Sequence, residues 1–491
     1  MAQPAAPVAV AAGPGNAPPD RSAPTRRGTE LSMLAFAAGL VTGALMLVEA
    51  NQEQQLTLRI VWYGLAYLAL FGVAHAAVRA WAPYADPLIL PCVALLNGLG
   101  LVMIYRLDLA YSERALAANR EINNQVPKQI LWTTIALVLF LVVLKVLNDH
   151  RTLTRYGYTF GLVGLVMLAL PAMLPGVIAP TINGAKIWLR IGIFSIQPGE
   201  FAKILLLVFF AAFLVSKRDL FMAAGRRVAG VDLPRARDLG PIVVAWAVSV
   251  GVLIFEKDLG TSLLFFGVLL VMLYVATERI IWVVVGLIMF AGGCVLAYQA
   301  FGHIQLRVHN WLDPFADYDG GGYQIAQSLF GLGTGGVGGT GLGAGRPDMV
   351  PLANSDFITA AIGEELGFIG LAALLLVYTL LAMRGMRSAL AVRDTFGKLL
   401  GGGLSFALIM QVFVVVGGVT KLIPLTGITA PFLSAGGSSL LANYVLVALL
   451  LRISDAARRP HAGSRPRIVP QTPIAEAHTV MVERPEERPE S

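Results

Sequence analysis

From Leu259 to Thr277 the chain reads LGTSLLFFGVLLVMLYVAT, without one charged side chain. Glu278 and Arg279 interrupt it, and a second uncharged apolar stretch then runs to Ala300. About 20 apolar residues wound as a helix cross the hydrocarbon of a bilayer, whereas a core helix of a soluble domain needs only an apolar stripe. Segments of this kind must satisfy every backbone polar group internally, which in lipid leaves the helix or the closed barrel. A barrel would show short alternating segments, and none are present.

Such blocks recur near 31–49, 59–80, 86–106, 128–148, 157–176, 198–216, 240–256, 259–277, 279–300, 356–383, 398–419 and 434–453. The expected fold class is therefore an all-α polytopic membrane protein with about twelve transmembrane helices. Composition agrees. Of 491 residues, 56% are hydrophobic and 14% charged, against about a quarter charged in soluble domains. Residues 1–30 are Pro/Ala-rich, end in the basic run Arg21 to Arg27, and read as a disordered tail without a cleavable signal peptide. The segment 456–491 reads as a second disordered tail. Cys92 and Cys294 lie inside apolar blocks, so neither a disulfide framework nor a metal site follows from them.

The net charge of +7 is concentrated in short loops. That pattern sets membrane orientation and implies no nucleic-acid partner. With the N-terminus in the cytoplasm, the inward loops hold Arg79, then Arg151 and Arg155, then Lys217 to Arg237, then Arg279, then Arg384 to Lys398, then the C-tail. One basic loop breaks the parity, 107–128, where acids are mixed in. Both termini are thus expected in the cytoplasm, with the loop 301–355 outside, between the ninth and tenth helices.

That loop contains WLDPFADYDGGGYQIAQSLFGLGTGGVGGTGLGAG. It is far longer than a helix connection requires. Its aromatic and aliphatic residues (Trp311, Phe315, Tyr323, Ile325, Leu329, Phe330) argue for packing against the membrane domain. Asp313, Asp317 and Asp319 have two open readings: turn caps, or a general base near a substrate hydroxyl. The glycine run formally holds GxGxxG, but no strand precedes it and no ribose-binding acid follows, so a dinucleotide site is rejected. Flexibility and close backbone approach both remain open for it.

Other candidates sit at the mouths of apolar blocks. In NGAKIWLRIGIFSIQPGEFAK (183–203), Pro198 suits a helix start, and Glu200 and Lys203 share one face. Charges there face protein or a water-filled cavity in preference to lipid. Glu256, Lys257 and Asp258 mark another junction. Asp356, Glu364 and Glu365 fall in DFITAAIGEELGFIG, where acids need partners. A Pro/Gly-broken stretch, PLTGITAPFLSAGGSSLLANY (424–444), opens the last block. The loop acids, the 183–203 segment, the 256–258 junction and the 424–444 break map to the outward side. Carboxylates beside the cations Lys186, Arg190, Lys203 and Arg307 suit an anionic substrate that also has a hydroxyl to deprotonate, such as a diphosphate lipid.

Taken together, NGAKIWLRIGIFSIQPGEFAKI, KDLGTSLL, WLDPFADYDGGGYQIAQSLF, DFITAAIGEELGFIG and PLTGITAPFLSAGGSSLLANY resemble the SEDS family (RodA, FtsW, SpoVE), and most nearly its actinobacterial RodA branch. The resemblance covers residues 86–455. It implies a ten-helix core, with the two helices of 31–85 as an N-terminal addition. It implies a peptidoglycan glycosyltransferase that polymerises lipid II into a nascent glycan strand, works with a class B penicillin-binding protein, and is surrounded by membrane lipid. The family's pattern (D/N)P(W/F)xDPxGxGYQ places its essential acid on Asp317 and its glutamine on Gln324. Asp313 is left as a cavity candidate. The cavity residues of QPxEFAK fall on Glu200 and Lys203, and the aspartate of PDLGTS falls on Asp258. Tyr318 stands where the family usually has proline. No cofactor is implied with certainty; a divalent cation, Mg or Mn, is compatible, and its ligands are unknown.

On this reading Asp317 is the general base on the acceptor hydroxyl, and undecaprenyl diphosphate leaves with inversion. Lys203, Arg190 or the divalent cation would stabilise the leaving charge. Two other readings are a flippase or transporter of lipid-linked precursors and a non-catalytic scaffold for wall assembly. A transporter would be expected to carry midplane charges in two related halves, and no internal repeat is visible.

Overall fold

The computed structural model describes residues 25–52, 58–119, 121–182, 185–192, 194–217, 226–228, 231–233, 247, 251 and 258–460. Ten described helices are long and apolar enough to cross a membrane. They are α1 (Arg27–Asn51), α2 (Leu58–Trp81), α3 (Ile89–Ala117), α4 (Val126–Val146), α7 (Pro198–Ser216), α8 (Leu259–Thr277), α9 (Ile281–Ala300), α12 (Ile358–Ala391), α13 (Thr395–Val419) and α14 (Gly437–Arg458). The short α5 (Thr152–Arg155) leads into α6 (Gly157–Met173), apolar but only 17 residues long. The expected span at 240–256 and most of both tails lie outside the described residues.

Helix α14 is the axis of the bundle. Its residues from Ser438 to Asp455 are buried almost without interruption, and it touches α4, α7, α12 and α13. Lipid is as apolar as leucine, so close backbone approach and hydrogen bonding must hold such helices together. Gly100 of α3 supplies one approach: a Cβ there would collide with the Leu433 carbonyl. Helix α9 marks the other extreme. Only Trp282 and Gly286 of it are buried, as expected of a helix facing lipid.

Three boundaries differ from the sequence reading. The N-terminal tail ends sooner, because Arg27 and Glu30 are buried inside α1. Arg27 pairs with Glu30 and donates to the Pro83 and Ala85 carbonyls, while His75 of α2 lies 2.7 Å from Glu30. Three residues of the expected C-tail, 456–458, complete α14, where Arg458 pairs with Asp86. The exceptional 107–128 loop is largely a helical extension of α3, and its charges have structural partners. Asp108 accepts the Gln125 and Val126 N–H groups at 2.7 and 2.8 Å, and Arg114 pairs with Asp348.

The long loop folds, as its apolar residues require. It forms α10 (Gly302–Leu312), α11 (Tyr323–Gly335) and a 3-10 turn at Pro347–Met349. Trp311 and Ser328 donate to the Lys421 and Val419 carbonyls at the end of α13, at 3.0 Å each. Two small antiparallel hairpins complete the described elements: β1–β2 (Leu189–Ile191 with Phe194–Ile196) and β3–β4 (Arg226–Val228 with Val231–Leu233).

The glycine run is ordered packing. Helix α12 breaks at Gly367, whose φ of 67° is in the left-handed region. Thr340 and Gly341 donate to the Glu364 and Glu365 carbonyls freed by the break, at 3.0 and 2.9 Å. In return Phe368 and Ile369 donate to Gly336 and Val337. Broken backbone at this depth is thus satisfied by the run itself. The two acids find partners here too. Glu365 takes Arg106 and the Gly343 N–H, each at 3.0 Å, and Glu364 takes the Arg346 N–H at 2.7 Å.

Candidate active site

A cavity of about 890 Å³ opens where α7, α8, α12 and α14 begin. Its walls come from the β1–β2 hairpin, the first turn of α7, the cap of α8, the turn before α11, and the segments 351–356 and 425–435. Glu200, Asp258, Arg307, Gln324 and Asp356 all line it. Four of these five are residues that the sequence singles out for a cavity.

Each is fixed by a local reason. Pro198 at the start of α7 sets the helix entry, with Glu200 in its first turn. Lys203 follows one turn deeper, buried, with its Nζ 2.9 Å from Glu200 and 2.9 Å from the Gln411 side-chain oxygen. The Gln411 amide donates in turn to the Thr429 carbonyl at 2.9 Å, tying α7 and α13 to the broken 424–436 stretch. Asp258 caps α8, accepting the Thr261 N–H at 3.0 Å and its hydroxyl at 2.7 Å. Arg307 reaches from α10 to the Leu425 and Thr426 carbonyls, at 3.2 Å each.

Among the described residues Arg307 is the one cation lining this cavity. Its burial lowers its pKa, against the opposing fields of Asp258 and Asp356. Burial pushes Asp356 up to about 6, against the Ser355 hydroxyl and Arg307. Asp258 is also raised by burial, although both Thr261 donors favour its charged form.

Asp317 sits at the rim. It is exposed, and one carboxylate oxygen accepts the N–H of Gly321 at 2.8 Å. Gly320 and Gly321 line the cavity and Asp317 itself does not, so the turn they form carries the acid beside the lining. Asp317 has no cationic partner among the described residues. Asp313 behaves differently: its Oδ1 accepts the N–H groups of Phe315 and Ala316 at 3.1 and 3.2 Å, which closes a turn.

Three expected cations do not enter the cavity. Lys203 is behind Glu200. Lys186 donates to the carbonyls of Leu174 at 2.5 Å and Ala172 at 3.3 Å, at the end of α6. Arg190 is exposed on β1, where strand alternation turns it away from the buried Leu189. Glu256 and Lys257 lie outside the described residues. Conversely, sequence reasoning grouped Asp356 with Glu364 and Glu365 and kept it out of the site. The available signal was its position just before a membrane helix that starts on the cavity side.

The profile of the FtsW/RodA/SpoVE family, described as cell cycle protein, matches residues 86–459. Peptidoglycan glycosyltransferase RodA of Mycobacterium tuberculosis is 57% identical over 461 residues, 94% of this chain and 97% of the relative. Stage V sporulation protein E of Bacillus subtilis is 34% identical, over 76% of this chain and 98% of that one. Among solved structures, a chain of a peptidoglycan synthase complex that coordinates polymerization and crosslinking superposes with a TM-score of 0.51 at 26% identity, covering 80% of this chain and 97% of that chain. A variant of the rod shape determining protein RodA of Thermus thermophilus gives 0.51 at 25% identity, covering 75% and 97%. The chain is a multi-pass membrane protein that belongs to the FtsW/RodA/SpoVE family.

Proposed function

We propose that this chain polymerises lipid II into glycan strands for cell elongation and shape, with Asp317 as general base and Arg307 as the cation that receives the donor diphosphate. The chain is a peptidoglycan glycosyltransferase, as its mycobacterial relatives are named. One observation carries the residue assignment: a carboxylate without a cationic partner among the described residues, held by a glycine turn at the rim of a cavity whose lining cation is Arg307. The acceptor hydroxyl loses its proton to Asp317 and attacks the anomeric carbon. Undecaprenyl diphosphate departs toward Arg307, which stabilises the developing charge. Lys203 acts through Glu200, holding that carboxylate aimed into the cavity. Among the described residues no three His, Cys, Asp or Glu side chains form a metal-holding group.

The cavity faces outward on this reading, and both termini are cytoplasmic. The opposite end of the bundle carries Arg151, Arg384, Arg387, Arg393 and Arg458, which supports that orientation. A class B penicillin-binding protein crosslinks the product; the likeness to a chain of a synthase complex supports such a partner.

The test is lipid II polymerisation by the purified chain with its penicillin-binding partner, whose transpeptidase serine is blocked. Wild type should make strands and Asp317→Ala should lose about 10²–10⁴-fold. Near-normal strands from a folded Asp317→Ala would remove the base from this residue. Lipid flux across vesicles without polymer would favour a transporter.

A further inference from the structure

We propose that Asp356 is the acid of the reaction: its carboxyl, in the protonated form, hydrogen-bonds the departing diphosphate oxygen beside Arg307 and gives it a proton. This rests on the polymerase reading and completes its proton balance.

The geometry separates the three acids that line the cavity. Glu200 is committed to Lys203 at 2.9 Å. Asp258 has both oxygens occupied, one by the Thr261 N–H and one by its hydroxyl. Among the described residues, Asp356 accepts only the Ser355 hydroxyl, at 3.2 Å, and has no cation or backbone N–H within hydrogen-bond distance. Its other oxygen is near Gly427, on the wall of the same cavity. Among the described residues, then, Asp356 is the lining acid that has both an oxygen free to carry a transferable proton toward a ligand and no cation paired with it.

The titratable groups around the cavity explain its state. They are Asp258 from the cap of α8, Glu200 from α7, Arg307 from α10 and Tyr323 from α11. Burial with one acidic neighbour against one cation holds the Asp356 carboxyl up at about 6. An anionic diphosphate next to it raises that value further, so the bound complex keeps the proton. Two carboxyls with opposite environments, one exposed at the rim and one enclosed, are the arrangement that assigns base and acid in glycoside hydrolysis.

The step balances. The acceptor oxygen–carbon bond forms as the hydroxyl proton passes to Asp317. The carbon–oxygen bond to the diphosphate breaks with its electron pair on the phosphate oxygen, which takes the proton of Asp356. Water then returns one proton to Asp356 and removes one from Asp317, so no further reactant is needed.

The experiment is the pH dependence of lipid II polymerisation by the full chain with its partner, for wild type, Asp356→Asn and Asp356→Glu. Because Asp356 must be protonated, wild-type kcat should fall as pH rises through its value in the complex, above about 6. Asp356→Asn still donates a hydrogen bond but no proton. Its KM for lipid II should stay within about twofold, its kcat should drop about 10²-fold, and the alkaline fall should vanish. Asp356→Glu should keep an alkaline fall at a displaced pH, which separates chemistry from misfolding. An asparagine variant with wild-type kcat, or with the alkaline fall intact, overturns the assignment, as does a glutamate variant whose fall is not displaced. If wild type polymerises and Asp317→Ala does not, those results count against Asp356 alone; a wild type without polymerase activity removes both readings.

Discussion

The N–H of Gly321 lies 2.8 Å from the carboxylate of Asp317, and a Cβ on Gly320 would press into that same carboxylate. The turn thus positions the base with backbone alone, and glycine at 320 is what leaves it room. Gly320→Ala should displace the acid without deleting it. Misplacement of a reacting group by about 1 Å costs on the order of 10²-fold, so kcat should fall by about that factor with lipid II binding retained. Gly322→Ala strikes backbone, the Pro314 carbonyl, and should weaken binding as well because the turn itself must move. Steady-state polymerisation rates and lipid II binding by the two variants check this. Equal, small effects on both would mean the turn is pliable.

Lys203, buried, and Glu200, partly buried, form a pair, and Gln411 shares the ammonium. Removing one partner of such a pair leaves an uncompensated charge, at about 3–5 kcal/mol. Lys203→Met should therefore lower the unfolding temperature in detergent far more than the double variant Lys203→Met/Glu200→Gln, which removes both charges. If the single variant melts with the wild type, the pair is solvated and contributes nothing.

The membrane helices were legible because their apolar length is itself the physical requirement. Glu200 and Asp258 were legible too, since charges at span mouths must face a cavity, and Arg307 was legible as a cation beside the outward-side carboxylates. Lys203 was not placed correctly. Sharing a helix face with Glu200 sets its direction, but three residues along the axis put it about 4.5 Å deeper, beneath the floor. Lys186 and Arg190 depended on how a short hairpin turns, which local pattern leaves undetermined. The glycine run had two open readings, and only the partner helix, with its carbonyls freed at Gly367, decides for close approach.

That break makes a separate prediction. Gly367 combines φ 67° with ψ −169°, a region essentially reserved for glycine, and a Cβ there would meet the Gly339 N–H. Gly367→Ala should cost about 1–3 kcal/mol from backbone strain alone, with the collision added. Since Thr340, Gly341, Phe368 and Ile369 lose their hydrogen bonds together, limited proteolysis should open the 336–345 segment before the rest of the molecule. A variant as protease-resistant as wild type would mean that the helix can close without the break.

At the opposite end, Asp394 caps α13 through the Gly397 N–H at 2.7 Å and meets His150 at 3.0 Å and Arg151 at 3.2 Å. Burial alone would raise its pKa, but the N–H and the two side chains outweigh it and hold the carboxyl below the ordinary 3.8. A carboxylate depressed in the folded state stabilises it fully above its unfolded value, and that stability disappears as pH falls through the folded one. The contribution should thus be complete at pH 5–7 and fade below about 3.8. Asp394→Asn should cost about 1 kcal/mol at neutral pH, the worth of a helix cap. Its melting temperature should approach the wild type's as the pH falls below 3.8. Thermal unfolding in detergent from neutral pH downward measures both, and a gap that does not narrow below 3.8 would assign the loss to packing in place of charge.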